Sequence, residues 1–270
     1  MKENFNMRIK SVLCAALTGG SIFMSGCSAN NENNQSKAVE STAETTVTTV
    51  QTEVTYKDPS EYGKVIALTF DDGPAVVTTN QVLDAFEKYN ARGSFFLVGN
   101  NISEGTADTV KRAFDMGCEI NSHSRTHSNM AEMSKEDIIA EMEYTDEKII
   151  EITGVKPRFF RPPYISVNDT MFEAIDKPFI NSFGSNDWDE AVSSEEISEK
   201  VLAQAQDGAI ILLHDMQGND RTVTALDTII PALQEQGYEL VTVGELFHAK
   251  GIEPSTDKIL YSTAQQTTMY

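Results

Sequence analysis

Cysteine is scarce in this sequence: three residues in 270, at positions 14, 27 and 118. That count excludes a small disulfide-stapled scaffold and leaves stability to a hydrophobic core. Basic residues are few as well, 21 Lys and Arg against 41 Asp and Glu, for a formal net charge of -20. Phosphate backbones are repelled by such a chain, so nucleic acid is excluded as a partner. Long apolar runs are also lacking. The one extended stretch of small and apolar residues, Val12 to Met24, is too short to span a bilayer comfortably. Histidine occurs four times and tryptophan once, so where they stand is informative.

What is present begins with a leader. Arg8 and Lys10 precede the apolar stretch, as in a secretory signal. Met24-Ser25-Gly26-Cys27 then resembles a bacterial lipobox, which implies cleavage before Cys27, lipid on its thiol, and residence on the extracellular face of the cell membrane. Loss of Cys14 and lipidation of Cys27 leave only Cys118, so no intrachain disulfide is expected. Residues 27–60 are rich in Asn, Ser, Thr, Glu and Gln without helical period and read as a flexible tether. The expected organisation is a signal peptide at 1–26, a tether at 27–60, a catalytic domain at 61–250 and a weakly patterned tail at 251–270.

Within the domain, apolar runs alternate with amphipathic ones. Strands are expected at 64–70, 94–98, 118–121, 158–161, 179–183, 208–213 and 239–243, and helices at 78–90, 134–153, 195–206 and 222–236. This alternation argues for an α/β fold with a parallel sheet and helices outside. Runs such as Ala209 to Leu213 read as strands buried on both faces. Seven units can close into a (β/α)7-type barrel; an open doubly wound sheet is the competing layout.

The chemistry collects after the strands. VIALTFDDGP, residues 65–74, ends a buried strand in two adjacent carboxylates, Asp71 and Asp72. His123 and His127 follow the third strand, Arg161 to Tyr164 the fourth, Asp187 and Trp188 the fifth, His214 and Asp215 the sixth. In a parallel barrel these positions share one rim, where active sites are built. His123 and His127 are four apart, a spacing that puts both imidazoles on one face of a helical turn. Two imidazoles and a carboxylate make a three-ligand site for a divalent metal, with a position left for water or substrate. One aspartate is then neutralised by the metal and its neighbour stands as a base. Taken singly, each piece has a plain structural explanation: a solvated turn, a surface arginine, a core tryptophan. Taken in order at successive strand ends, they point to a metal-assisted hydrolase. Zinc suits two nitrogens and one oxygen first, with cobalt, nickel or iron as alternatives.

Five motifs in order, TFDDG at 69–73, HSRTH at 123–127, RPPY at 161–164, DW at 187–188 and LLH at 212–214, resemble the polysaccharide deacetylases with NodB homology, carbohydrate esterase family 4. The resemblance covers about Lys64 to Leu246. It implies a distorted (β/α) barrel and metal-dependent removal of N-acetyl groups from an amino-sugar glycan, with peptidoglycan or a related cell-envelope polysaccharide as the expected substrate; chitin-like oligomers and exopolysaccharide are further partners. It further implies Asp71 as base, Asp72, His123 and His127 as metal ligands, Arg161 orienting the base, and His214 as acid. The backbone of Tyr164 would hold the oxyanion, and Trp188 and Leu212 would wall the pocket. Two positions depart from the pattern. Gly184 stands where an acidic residue is frequent, so support of His214 is expected from Asp187, counted with the catalytic set, or from Asp215. Ile165 stands where glycine is frequent. The alternative readings are a non-catalytic glycan-binding lipoprotein, a polysaccharide O-deacetylase, or a hydrolase of non-sugar amides.

Overall fold

The computed structural model describes residues 55–270; the leader, Cys27 and the tether up to residue 54 lie outside the described residues. The elements in chain order are β1 (Lys64–Asp71), α1 (Thr78–Tyr89), β2 (Ser94–Leu97), α2 (Glu104–Asp115), β3 (Glu119–Ser122), α3 (Lys135–Thr153), α4 (Asp169–Ala174), β4 (Phe179–Ile180), β5 (Phe183–Gly184), α5 (Ser194–Ala203), β6 (Ala209–His214), α6 (Asp220–Glu235), β7 (Tyr238–Leu240), α7 (Val243–Ala249) and β8 (Leu260–Tyr261).

The strands run parallel in the order β3-β2-β1-β6-β5, with β7 paired to the first half of β1. Single-residue links continue this sheet into a barrel: Phe160 bridges Ser122 on one side and Phe179 on the other, β4 pairs with β8, and Thr263 bridges Ala209 of β6. This is the expected barrel, distorted where those links replace full strands.

Side-chain alternation along the strands divides the core in two. Ile66, Leu68 and Phe70 of β1, Phe95 and Leu97 of β2, and Ala209, Ile211 and Leu213 of β6 pack with residues of α1, α2, α5 and α6 outside the sheet. Val65 and Ala67 of β1, Phe96, Phe159 and Ile210 pack inward, with Val243, Leu246 and Phe247 of α7. Both faces of β1 are therefore apolar, which is why its sequence shows no alternation. The same parity carries forward to the strand ends: Asp71, His123, Arg161 and His214 continue the inward-facing series.

The strand expected at 158–161 is reduced to the bridge at Phe160. Pro157 before it and Pro162-Pro163 after it lack the amide hydrogens that a longer ladder needs. The expected strand 179–183 divides into β4 and β5, because the chain changes partner between them: β4 pairs with β8 and β5 with β6. Helix α2 was not expected; its buried face rests on Thr106, Thr109, Val110 and Ala113, two threonines and two small or mid-sized apolar residues where a large apolar run would have drawn notice. The tail segment contributes to the body: Tyr261 and Ala264 are buried in the inner core, and Tyr261 meets Phe247 edge to face at 5.1 Å. Residues 55–60 also join the body, where Tyr56 lies 5.1 Å from the ring of His248.

Tyr261→Ala is expected to destabilise the domain by about 3 kcal/mol, the range for truncating a large buried aromatic, as read by denaturant titration. A change below about 0.5 kcal/mol would mean that the C-terminal segment does not hold the barrel seam.

Candidate active site

The two adjacent carboxylates part company at the end of β1. Asp71 keeps strand parity and enters the interior, whereas Asp72 takes a left-handed backbone, φ 71°, and its side chain turns aside. Asp71 is buried and accepts from Arg161 Nη1 at 2.6 Å. Arg161 is wholly buried; its Nη2 donates to the carbonyl of Asn181 at 2.9 Å and its guanidinium lies 4.1 Å from the centre of the Phe96 ring. Burial raises the Asp71 carboxyl above the usual range, while the charges of Arg161 and His214 draw it back.

His123 ends β3. Its Nδ1 donates to the carbonyl of Arg161 at 2.7 Å, which turns Nε2 toward the aspartates. That Nε2 lies 3.6 Å from Asp72 Oδ1 and 3.6 Å from Asp71 Oδ2. His127 Nε2 lies 3.3 Å from Asp72 Oδ1. Burial pushes the His123 imidazolium down to about 3, so the ring is a neutral donor at physiological pH. The helical turn expected to carry this pair is absent. Residues 123–129 form a loop in which Ser124 (φ 64°) and His127 (φ 58°) are both left-handed, and that turn brings the second imidazole back beside the first.

The residues present fit a divalent ion. One ligand atom each from Asp72, His123 and His127 lies within 4.8 Å of the others. Asp72 Oδ1 is buried without a hydrogen-bond partner among the described residues, although it faces two imidazole nitrogens. Two ligands about 2.1 Å from one ion at a tetrahedral angle stand about 3.4 Å apart, and the Asp72–imidazole separations fall around that value. Two neutral nitrogens and a carboxylate oxygen are also the donor types of catalytic zinc sites.

Across the mouth, Asp187 is fully buried and saturated with donors. Its Oδ1 accepts from His214 Nδ1 at 2.8 Å and from Ser185 Oγ at 3.0 Å. Its Oδ2 accepts from the His214 amide at 2.7 Å and from Thr222 Oγ1 at 2.6 Å. Burial works against the Asp187 carboxylate, yet the bonds from His214 and Thr222 hold it below the usual range. Burial likewise opposes charge on His214, but Asp187, with Asp71 and Asp72 farther off, raises its pKa to about 9.

Asp215, the other carboxylate considered as support for His214, has the opposite strand parity. It turns outward to α1, accepts from Thr79 Oγ1, and lies so close to Gly73 that a Cβ there would stand 2.5 Å from Asp215 Oδ2. Thr79 in turn accepts from the amide of Ala75 at 2.8 Å, so Asp215 anchors the loop after Asp72. Gly184 lies on exposed β5 beside Leu212 and has no part in holding His214. Leu212 is half-buried on β6, while Tyr164 and Trp188 are exposed, at 69% and 57%. The Tyr164 ring packs edge-on to His127 at 4.7 Å, and its amide donates to no group among the described residues. Tyr164 and Ile165 are both left-handed, φ 58° and 55°. A β-branched residue in that region is strained by roughly 1–3 kcal/mol, which accounts for the fit of glycine at position 165.

The polysaccharide deacetylase family model matches residues 58–178. A family 4 acetyl xylan esterase from Clostridium thermocellum, solved with a cobalt ion, superposes with a TM-score of 0.73 at 39% identity, over 75% of this chain and 100% of that one. The chain belongs to the polysaccharide deacetylase family. Another member, a bifunctional xylanase/deacetylase from Pseudobutyrivibrio xylanivorans, is 49% identical over 202 residues, 75% of this chain and 33% of that protein, so this chain spans a third of that relative's length. A peptidoglycan-N-acetylglucosamine deacetylase from Bacillus cereus is 36% identical over 206 residues, 73% of this chain and 94% of that one. Asp72, His123 and His127 thus form a candidate metal centre on a family scaffold.

In the metal-free protein, a ring-proton titration of His214 by NMR is expected to give a pKa near 9, and Asp187→Asn is expected to lower it toward the ordinary 6.5. The sign for stability follows from the raised value. The imidazolium's contribution is complete below about pH 6.5 and is lost as pH rises through about 9. A His214 titration unchanged by Asp187→Asn would contradict the pairing.

Proposed function

We propose that the chain is a metal-dependent deacetylase of an acetylated polysaccharide. The observation that carries this reading is the flanking of one three-ligand cluster by two oppositely set pairs, Asp71–Arg161 and His214–Asp187. Asp72, His123 and His127 would hold the ion, with zinc first and cobalt, nickel or iron as alternatives. Bound there, it would supply Lewis acidity toward the acetyl carbonyl and toward a water.

The chain's own groups supply the rest. Asp71 takes the proton of the attacking water, and Arg161 fixes which carboxylate oxygen is free to do so. The Tyr164 amide is a donor for the oxyanion, a contribution of about 3–4 kcal/mol when well placed. His214 enters protonated, because Asp187 stabilises its charge, and gives its proton to the departing amine or alcohol. Leu212 lines the pocket, and the exposed rings of Trp188 and Tyr164 give a sugar chain apolar faces to lie against.

The relatives support an ordering of substrates. Acetylated xylan comes first, since names for xylan breakdown accompany 49% and 39% identity; the amino-sugar backbone of peptidoglycan is the second reading, favoured by the Bacillus cereus relative at 36%. Lipidation of Cys27 and display on the outer face of the membrane complete the proposal, supported by the Met24–Cys27 resemblance.

Acetate release from acetylated xylo-oligomers and from N-acetylated glycan oligomers, measured with and without chelator, tests the reading. Activity is expected to vanish with chelator and to return with a divalent ion. Asp71→Asn is expected to lower kcat by roughly 10²–10⁴-fold while glycan binding persists. A metal-loaded protein that releases no acetate from either class overturns the proposal. Metabolic labelling with a radioactive fatty acid is expected to mark the full-length protein and not Cys27→Ala; equal labelling refutes the anchor.

A further inference from the structure

We propose that Glu141 of α3 is a positioning residue for His127, holding the turn that presents this imidazole to the metal site. The turn from Ser124 to His127 needs an external hold. It has no helical hydrogen-bond ladder, and it places two non-glycine residues in the left-handed region, at roughly 1–3 kcal/mol each. Its carbonyls are met from one side: Gly99 N–H donates to Ser124 O at 2.9 Å, and Asn100 N–H to Arg125 O at 2.9 Å. Its donors are met from the other side by a single atom. Glu141 Oε2 accepts from the amide of Arg125 at 2.9 Å, the amide of Thr126 at 2.8 Å and the hydroxyl of Thr126 at 3.0 Å. Successive amides converging on one anion form a nest. Here the anion is supplied by the chain itself.

The carboxylate has no other evident purpose. Glu141 is 9% exposed and makes no ion pair among the described residues. The neighbouring guanidinium of Arg125 goes instead to Asn100 Oδ1 and the Tyr144 ring. Next to the nest, the amide of His127 donates to Ser124 Oγ at 3.0 Å, which carries the constraint from the clamped residues to the histidine backbone. His123 needs no such help, since its Nδ1 is held by the carbonyl of Arg161. Glu141 thus acts on one ligand of the three, through the backbone. Outer partners of this kind change metal affinity by roughly 10–100-fold.

The inference rests on reading Asp72, His123 and His127 as ligands, and the test separates the two. Binding of cobalt(II) and zinc to the purified protein is measured by competition with a chelator of known affinity, for the wild type, Glu141→Ala and Glu141→Gln. Glu141→Ala is expected to weaken metal binding by roughly 10–100-fold. Glu141→Gln keeps an oxygen acceptor and is expected to stay within about fivefold of the wild type. At saturating metal, kcat of Glu141→Ala is expected to return to within about threefold, because the residue touches no reacting atom. Should Glu141→Ala not fold, Glu141→Asp, whose carboxylate is one methylene short of the turn, is expected to weaken binding at least tenfold. Wild-type protein that binds neither ion sinks the ligand reading and this inference with it. Wild-type binding with an unchanged affinity in Glu141→Ala, or in Glu141→Asp where the alanine variant does not fold, sinks this inference alone. So does an equal loss in Glu141→Gln, which would assign the effect to charge and not to the held turn.

Discussion

A carboxylate taken wholly out of water needs a cation, and at the end of β1 that cation is Arg161. The pair is one constraint with several consequences. The guanidinium is itself buried, so it must find its place against the Phe96 ring and the carbonyl of Asn181. Removing either partner of such a pair leaves a bare internal charge, at a cost of about 3–5 kcal/mol. The backbone of the same arginine accepts from His123 Nδ1 and so decides which nitrogen of that ring faces the aspartates. The Asp71 carboxylate and the His123 ring are thereby both set by one residue, on a segment too short to count as a strand.

The site divides its labour by charge. On one side Asp71 is held by a fixed cation. On the other His214 is held by a fixed anion, Asp187, which is itself surrounded by donors. Between them lie three groups that lack a cation of their own, with one orphaned carboxylate oxygen at their centre. A carboxylate and an imidazole can therefore both be held charged in one site, because each is paired with a different partner. The exposed rings of Tyr164 and Trp188 lie outside this polar interior.

Much of this was legible in the sequence for identifiable reasons. Strands β1 and β6 announced themselves as continuous apolar runs, and α1, α3, α5 and α6 as amphipathic periods, since long elements with clear burial leave clear patterns. The rare residues marked the rim. At Phe160 and β4 strands were expected and proved shorter than the apolar runs suggested; β8 was not legible, because two paired residues leave no period. The spacing of His123 and His127 indicated that they meet but suggested the wrong device: a left-handed turn clamped from α3 replaces the helical face. Glu141 carried no signal of its own within an ordinary amphipathic helix.

The sequence by itself determined the residue types of the site, their order, and their place at successive strand ends, because these depend only on local patterning and identity. The tertiary structure alone decided which of two neighbouring carboxylates serves which purpose. Asp71 faces inward and Asp72 aside; Asp187 reaches His214, while Asp215 turns outward to Thr79. Strand parity sets Asp71 against Asp215 and a left-handed backbone turns Asp72 aside, and parity is invisible where both faces of a strand are apolar. It becomes definite only when the sheet has closed and one face has become the inside.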